Sequence, residues 1–175
     1  MVDPLTARHE RRVAHLARSI SRVMGFGEED VEQMRIAALL HDIGKISIPT
    51  DLLLKPVPMS QREFELMKTH PRVGHDLLRN TGFQGDLPEV VFQHHERMDG
   101  SGYPRGLRGD EILLSARVLA VADVVEAMSS HRPYRRALGI EVALQEVRQN
   151  EGQLYDVEVV DACLRLFARG FTLLG

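Results

Sequence analysis

Two adjacent pairs of ligating side chains stand out along the chain: His41-Asp42 and His94-His95. Neighbouring helical residues point about 100° apart, so one metal ion cannot easily receive both His41 and Asp42. Two ions a few ångströms apart, with the carboxylate between them, could. Taken alone, a His-Asp dipeptide reads first as an ordinary structural pair, because such pairs arise often by chance. Three further features change that weighting. Lys45 follows His41 by four residues, where a cation could face an anionic substrate. His94-His95 lies at the end of its own helix. Asp123 is a lone acid between Val118-Leu119-Ala120-Val121-Ala122 and Val124-Val125. A buried carboxylate needs a partner, which a salt bridge, a solvated stripe or a metal ion would each provide; the histidines favour the metal.

The elements that must position these residues read as helix after helix. Asp3-Pro4 opens the first as N-cap and first helical residue. Val13, Leu16, Ala17, Ile20 and Met24 recur at helical spacing before Gly25. A second helix is expected from Glu28 to about His41. Gly44, Pro49, Pro56 and Pro58 predict a loop over 44–59. Ser60-Gln61-Arg62-Glu63 is a capping box, Pro71 marks another helix start, and Asp86-Leu87-Pro88-Glu89 opens the helix leading to His95. The glycines and proline of 99–109 predict a loop. Helices follow over about 114–128, 140–150 and 157–169. No period-two run and no repeat is found, so the class is all-α with one domain.

Composition excludes several functions. The 175 residues suit one domain, and net charge is −3, which argues against a general nucleic-acid binder and hence a nucleic acid polymer as partner. No apolar run approaches the roughly 20 residues of a membrane span, and no secretory signal opens the chain. The single cysteine, Cys163, permits no internal disulfide and suits a reducing cytoplasm; it reads as core. The chain has eight histidines and no tryptophan, so any metal site is histidine-rich rather than thiolate-rich, and base-stacking platforms are an unexpected theme.

Longer stretches then carry a resemblance: His41-Asp42-Ile43-Gly44-Lys45, His70-Pro71-Arg72-Val73-Gly74-His75, His94-His95-Glu96-Arg97-Met98-Asp99-Gly100-Ser101-Gly102-Tyr103-Pro104, Ala120-Val121-Ala122-Asp123 and His131-Arg132-Pro133-Tyr134. Together they resemble the HD-GYP domain, the bacterial branch of the HD metal-dependent phosphohydrolase superfamily that degrades cyclic di-GMP. The resemblance runs from about residue 6 onward. It implies one HD-GYP-like domain over 1–175, a helical bundle of the HD type with about seven helices. It also implies metal ligands at His9, His41, Asp42, His70, His94, His95 and Asp123. This mixed nitrogen and oxygen set suits iron, manganese, nickel or zinc better than calcium; the family is known for iron or manganese. Some members place a Glu one turn before the first-helix His to hold a third metal. Leu5 stands there, so two divalent ions are expected. The segment Val124-Val125-Glu126-Ala127-Met128, where many members have Tyr-Asp-Ala-Leu, is read as a packing variation, and Glu10 as a surface residue.

The implied reaction is hydrolysis of cyclic di-GMP to linear pGpG or GMP by a hydroxide held between two metal ions that Asp42 bridges. Lys45 would neutralise the phosphoryl oxygens. Arg132, Arg135 and Arg136 are candidate phosphate or guanine ligands, with a solvated loop as the alternative. Tyr103 either meets substrate or braces its loop. The Gly-Tyr-Pro loop is linked in the family to turnover and to contacts with diguanylate cyclase domains; a regulator domain there, or a homodimer, is also left open. The alternatives to an active enzyme are a non-catalytic module that binds the nucleotide or docks a signalling protein, and a different HD enzyme. No regulatory domain is read within the 175 residues. His15 and His75 are read as surface or supporting residues, and His131, beside Arg132, as either a pocket-lining or a solvated loop residue.

Overall fold

The computed structural model describes residues 4–55, 57–82, 85–130 and 137–173, with only the backbone of 4–6. Arg132, Arg135, Arg136 and His131 lie outside the described residues, as does the side chain of Leu5. The helical spacing is realised as α1 (Pro4–Val23), α2 (Glu28–Leu40), α3 (Thr50–Leu53), α4 (Gln61–Met67), α5 (His70–Arg79), α6 (Leu87–Gln93), α7 (Leu114–Ser129), α8 (Ile140–Gln149) and α9 (Val157–Ala168). Short 3-10 turns cover Ile43–Ser47 and Gly109–Glu111. Among the described residues there is no strand, only isolated bridges between Asp99 and Arg108 and between Glu151 and Tyr155. The all-α expectation holds.

A helix apolar on every face must be buried, and α7 is that helix. Val118, Leu119, Val121, Ala122 and Val125 are fully buried, each contributing about 1.5–3 kcal/mol for the larger side chains. Around it pack α1, α8 and α9, while α2 lies against α1 and α6. The core of Val13, Leu16, Ile20, Met34, Val91, Val147 and Val160 fills the space between them. No helix of the described residues is long and apolar enough to cross a membrane.

Local chemistry sets the helix ends. Pro71 and Pro88 sit in the first turns of α5 and α6, where a missing N–H costs nothing. The Ser60–Glu63 capping box forms: Ser60 N–H donates to the Glu63 carboxylate at 2.7 Å, and Glu63 N–H to Ser60 Oγ at 3.4 Å. The 44–59 segment differs from its loop reading. Pro49 stands just ahead of α3 rather than inside it, so its ring obstructs no helical hydrogen bond and one turn forms. The first 3-10 turn crosses α5 at Gly44. A Cβ there would overlap the His70 carbonyl oxygen and lie 2.6 Å from Gly74 N, so only glycine lets this turn approach closely enough to place its neighbours.

Candidate metal centre

Helix ends meet here. His41 caps the C-terminus of α2, His94 caps that of α6, and His70 is the first residue of α5. Asp42 and His95 follow their caps directly. Two mid-helix residues complete the ring, His9 from α1 and Asp123 from α7. The seven side chains expected as ligands are therefore brought together from five helices and the turns beyond them.

They form two groups that share Asp42. One donor atom from each of Asp42, His70, His94 and His95 lies within 4.8 Å of all the others, and the same holds for His9, His41 and Asp42. The Asp42 carboxylate divides between them. Its Oδ1 is 3.4 Å from His70 Nε2. Its Oδ2 is 3.6 Å from His41 Nε2 and 2.5 Å from Lys45 Nζ. Asp123 Oδ1 joins the second group, 3.2 Å from His9 Nε2 and 3.8 Å from His41 Nε2. His70 and His94 bring their Nε2 atoms to 3.5 Å.

The backbone fixes which nitrogen each ring presents. His41, His70 and His94 donate Nδ1–H to the carbonyls of Ala38, Met67 and Val91, at 2.7, 2.7 and 2.6 Å. Each bond leaves Nε2 as the free lone pair, turned inward. His41 Nε2 is buried and hydrogen-bonded to nothing among the described residues. A buried acceptor without a partner costs about 1–3 kcal/mol, and a cation at that position would satisfy it. Five imidazoles and two carboxylates fit divalent transition ions, so the residues present suit the metal that the sequence implies.

Electrostatics agree. Burial, with the charges of His41 and His70, pulls His94 down to about 3. Burial likewise holds His95 well below its usual value and lowers His70, so these rings are neutral and their lone pairs available at pH 7. Burial would raise Asp42, yet Lys45, His41 and His70 hold it well below the ordinary carboxylate range. Asp123 is also held low, by His9 and His41 against the same burial. His9 is the exception: burial lowers it, but hydrogen bonds to Asp123 and Glu126 prevail and raise it to about 9. Without metal a proton occupies the place where positive charge is wanted, so an ion bound there must release it.

Glu126 has a larger part than the packing variation read from the sequence. Its carboxylate, 1% exposed, accepts from His9 Nδ1 and, at 2.6 Å, from the Ser130 hydroxyl. Arg12 Nη1 donates to that same hydroxyl at 2.9 Å. Glu126 thus turns His9 Nε2 toward Asp123. The burial reasoning applied to Asp123 would have found it, since Glu126 follows one helical turn later on the same apolar helix. Glu10 is half-buried rather than on the surface, and burial raises its carboxyl despite the opposing charge of His41.

Glu96, the third residue of the His94-His95-Glu96 run, is a second residue whose task the sequence did not reveal. It is 2% exposed and accepts the backbone N–H groups of Arg105 at 2.7 Å and Leu107 at 3.0 Å. It thereby staples the Gly102-Tyr103-Pro104 loop over the end of α6. A Cβ on Gly102 would lie 2.5 Å from Glu96 Cα and from His95 O, so the loop touches the histidine backbone only because that residue is glycine. Tyr103 stacks on His95, centroids 4.7 Å apart at 29°, and donates its N–H to His95 O at 3.2 Å. The loop braces the second histidine pair.

The other two histidines among the described residues, His15 and His75, stand apart. His15 stacks on Phe171 at 4.8 Å. His75 lies on Phe92 at 5.0 Å and hydrogen-bonds Asp76 at 3.0 Å. Cys163 is fully buried, and burial pushes its thiol up to about 12.

Comparison with known proteins follows the same lines. The family model described as HD domain matches residues 1–159. Over 167 residues the chain is 44% identical to the cyclic di-GMP phosphodiesterase response regulator RpfG of Xanthomonas campestris pv. campestris, covering 93% of this chain and 44% of that protein. Over 166 residues it is 45% identical to a cyclic di-GMP phosphodiesterase of Thermotoga maritima, covering 94% of this chain and 45% of that one. The chain spans under half the length of these relatives. Bd1817, an HDG"Y"P protein from Bdellovibrio bacteriovorus, shares the fold with a TM-score of 0.76 at 19% identity, over 93% of this chain and 52% of that one.

Proposed function

This chain belongs to the HD domain family, and on that premise we propose that it is a metal-dependent phosphodiesterase hydrolysing cyclic di-GMP to linear pGpG or GMP. Its likeness to two cyclic di-GMP phosphodiesterases supports the substrate. The observation that carries the reaction is Asp42, whose two carboxylate oxygens face two different histidine groups. In this reading Asp42, His70, His94 and His95 hold one divalent ion, and His9, His41, Asp42 and Asp123 hold the other. Iron or manganese is favoured, with nickel and zinc next. Such ions supply Lewis acidity, lowering the pKa of water and neutralising phosphoryl charge.

The chain's own groups do the rest. The backbone carbonyls behind His41, His70 and His94 keep three lone pairs aimed inward without reorganisation, the preorganisation on which electrostatic catalysis depends. Lys45, 29% exposed and paired with Asp42, presents an ammonium at the rim for the phosphoryl oxygens. Arg132, Arg135 and Arg136 would add forks for phosphate or a guanine edge. Tyr103 would hold His95 in place and border the substrate. The reading also covers a cytoplasmic site of action, a diguanylate cyclase or regulator domain at the Gly-Tyr-Pro loop, and assembly as a homodimer.

The test is anaerobic loading with Fe(II) or Mn(II), metal analysis, and chromatography of products from a panel of cyclic dinucleotides. Two bound ions and conversion of cyclic di-GMP to pGpG or GMP are expected. Two bound ions with no product from any cyclic dinucleotide would make the chain a binding module instead.

A further inference from the structure

Helix α4 has no buried residue among its seven. It is held by its capping box and by Lys55, whose Nζ meets the Glu63 carboxylate at 2.7 Å. Such a helix gains little from packing, yet it carries an aromatic ring, Phe64, that is 41% exposed. Phe64 also occupies a particular place. It meets Tyr103 edge to face, centroids 6.4 Å apart at 81°, and Tyr103 in turn stacks on His95 of the metal centre. A row of rings therefore runs from the proposed ligands outward to an open aromatic surface. Lys68 Nζ stands over both outer rings, 4.9 Å from the Phe64 centroid and 5.8 Å from that of Tyr103. Its other partner, Glu65 at 2.9 Å, forms an exposed pair of the kind that contributes little and is easily exchanged.

We propose that Phe64 and Lys68 form a purine-binding subsite for the substrate, with Phe64 stacking on one base and Lys68 meeting its acceptor edge. The chemistry fits both halves. Every base has a π-face that an aromatic ring can cover, and guanine presents O6 and N7 as acceptors to a lysine. A phosphodiester held at the centre carries its base outward from the phosphorus, and the ring row lies along such an outward path. The subsite rests on the proposed function, because a substrate without a purine would have nothing to stack.

The chain has no tryptophan, so a Phe64→Trp variant carries one indole that reports on the subsite directly. Cyclic di-GMP is expected to quench its fluorescence while KM stays near the wild-type value. Phe64→Leu keeps apolar contact with Tyr103 but offers no π-face, and should raise KM roughly tenfold or more, the stacking contribution of one base, with kcat and bound metal unchanged. Lys68→Met should raise KM for cyclic di-GMP more than for cyclic di-AMP. Wild-type turnover of cyclic di-GMP accompanied by an unquenched indole and an unchanged KM in Phe64→Leu would overturn the subsite and leave the proposed function standing. No turnover or binding of any purine cyclic dinucleotide by the wild type would remove the function and the subsite with it.

Discussion

Glu96→Ala should unfasten the Gly-Tyr-Pro loop from the histidines it braces. Glu96 is buried, and each of its oxygens takes one backbone N–H, from Arg105 at 2.7 Å and Leu107 at 3.0 Å. Hydrogen bonds to a charged group contribute about 1.5–3 kcal/mol each, so the pair gives roughly 3–6 kcal/mol before offsets. Part returns on truncation, because a buried carboxylate no longer has to be desolvated and water can reach the partly exposed loop. A net loss of about 2–4 kcal/mol remains, which for a chain of this size lowers Tm by roughly 5–15 °C. Glu96→Gln keeps one acceptor but turns a donor toward the other N–H, so it should fall between wild type and alanine. Differential scanning calorimetry gives the shift. Turnover should fall with it, since Tyr103 stacks on His95 through this loop. An unchanged Tm in Glu96→Ala would refute the staple.

Glu126→Ala should weaken metal binding about 10–100-fold, the usual cost of losing a residue that orients a ligand; calorimetric titration with Mn(II) measures it, and unchanged affinity would reduce Glu126 to a space filler. Gly44→Ala places a methyl group on the His70 carbonyl and should cost about 3 kcal/mol or more, read in urea melts, with lowered metal content; wild-type stability would contradict the close crossing. The pH dependence of the metal-free protein follows from two imidazoles. His9 is raised to about 9 in the folded state, so its contribution is full below the ordinary 6.5 and lost as pH rises through about 9. His94 is lowered to about 3, so below 6.5 the unfolded chain takes a proton that the folded one refuses, and stability falls as pH drops toward 3. Urea melts of chelator-treated protein should therefore show greatest stability near neutral pH; stability still rising at pH 9 would contradict the His9 assignment.

Much of the site is legible in the residues. His41-Asp42, Lys45, His94-His95 and Asp123 announce themselves by adjacency, or by a charge set in an apolar helix. His9 and His70 do not. Each shares its helix with another histidine, His15 on α1 and His75 on α5, and only the resemblance singled them out, because nothing local says that α1 and α5 converge on the same point. Glu126 is legible in principle, as a second acid on the apolar helix α7 one turn after Asp123. Glu96 was not: its partners are backbone N–H groups of a loop 9 and 11 residues ahead, and backbone donors leave no trace in side-chain identity. The helices were readable because α1, α2 and α7 repeat their apolar residues over several turns. The one-turn helix α3 was hidden, since four residues beside prolines carry no period.

The central claim is that Asp42 serves both histidine groups at once. Its most direct test is cyclic di-GMP turnover by Asp42→Ala beside wild type, both loaded anaerobically with Fe(II) or Mn(II). Removing the one carboxylate that faces His70 on one side and His41 on the other should abolish turnover in a protein that still folds. Full activity in Asp42→Ala would contradict the account.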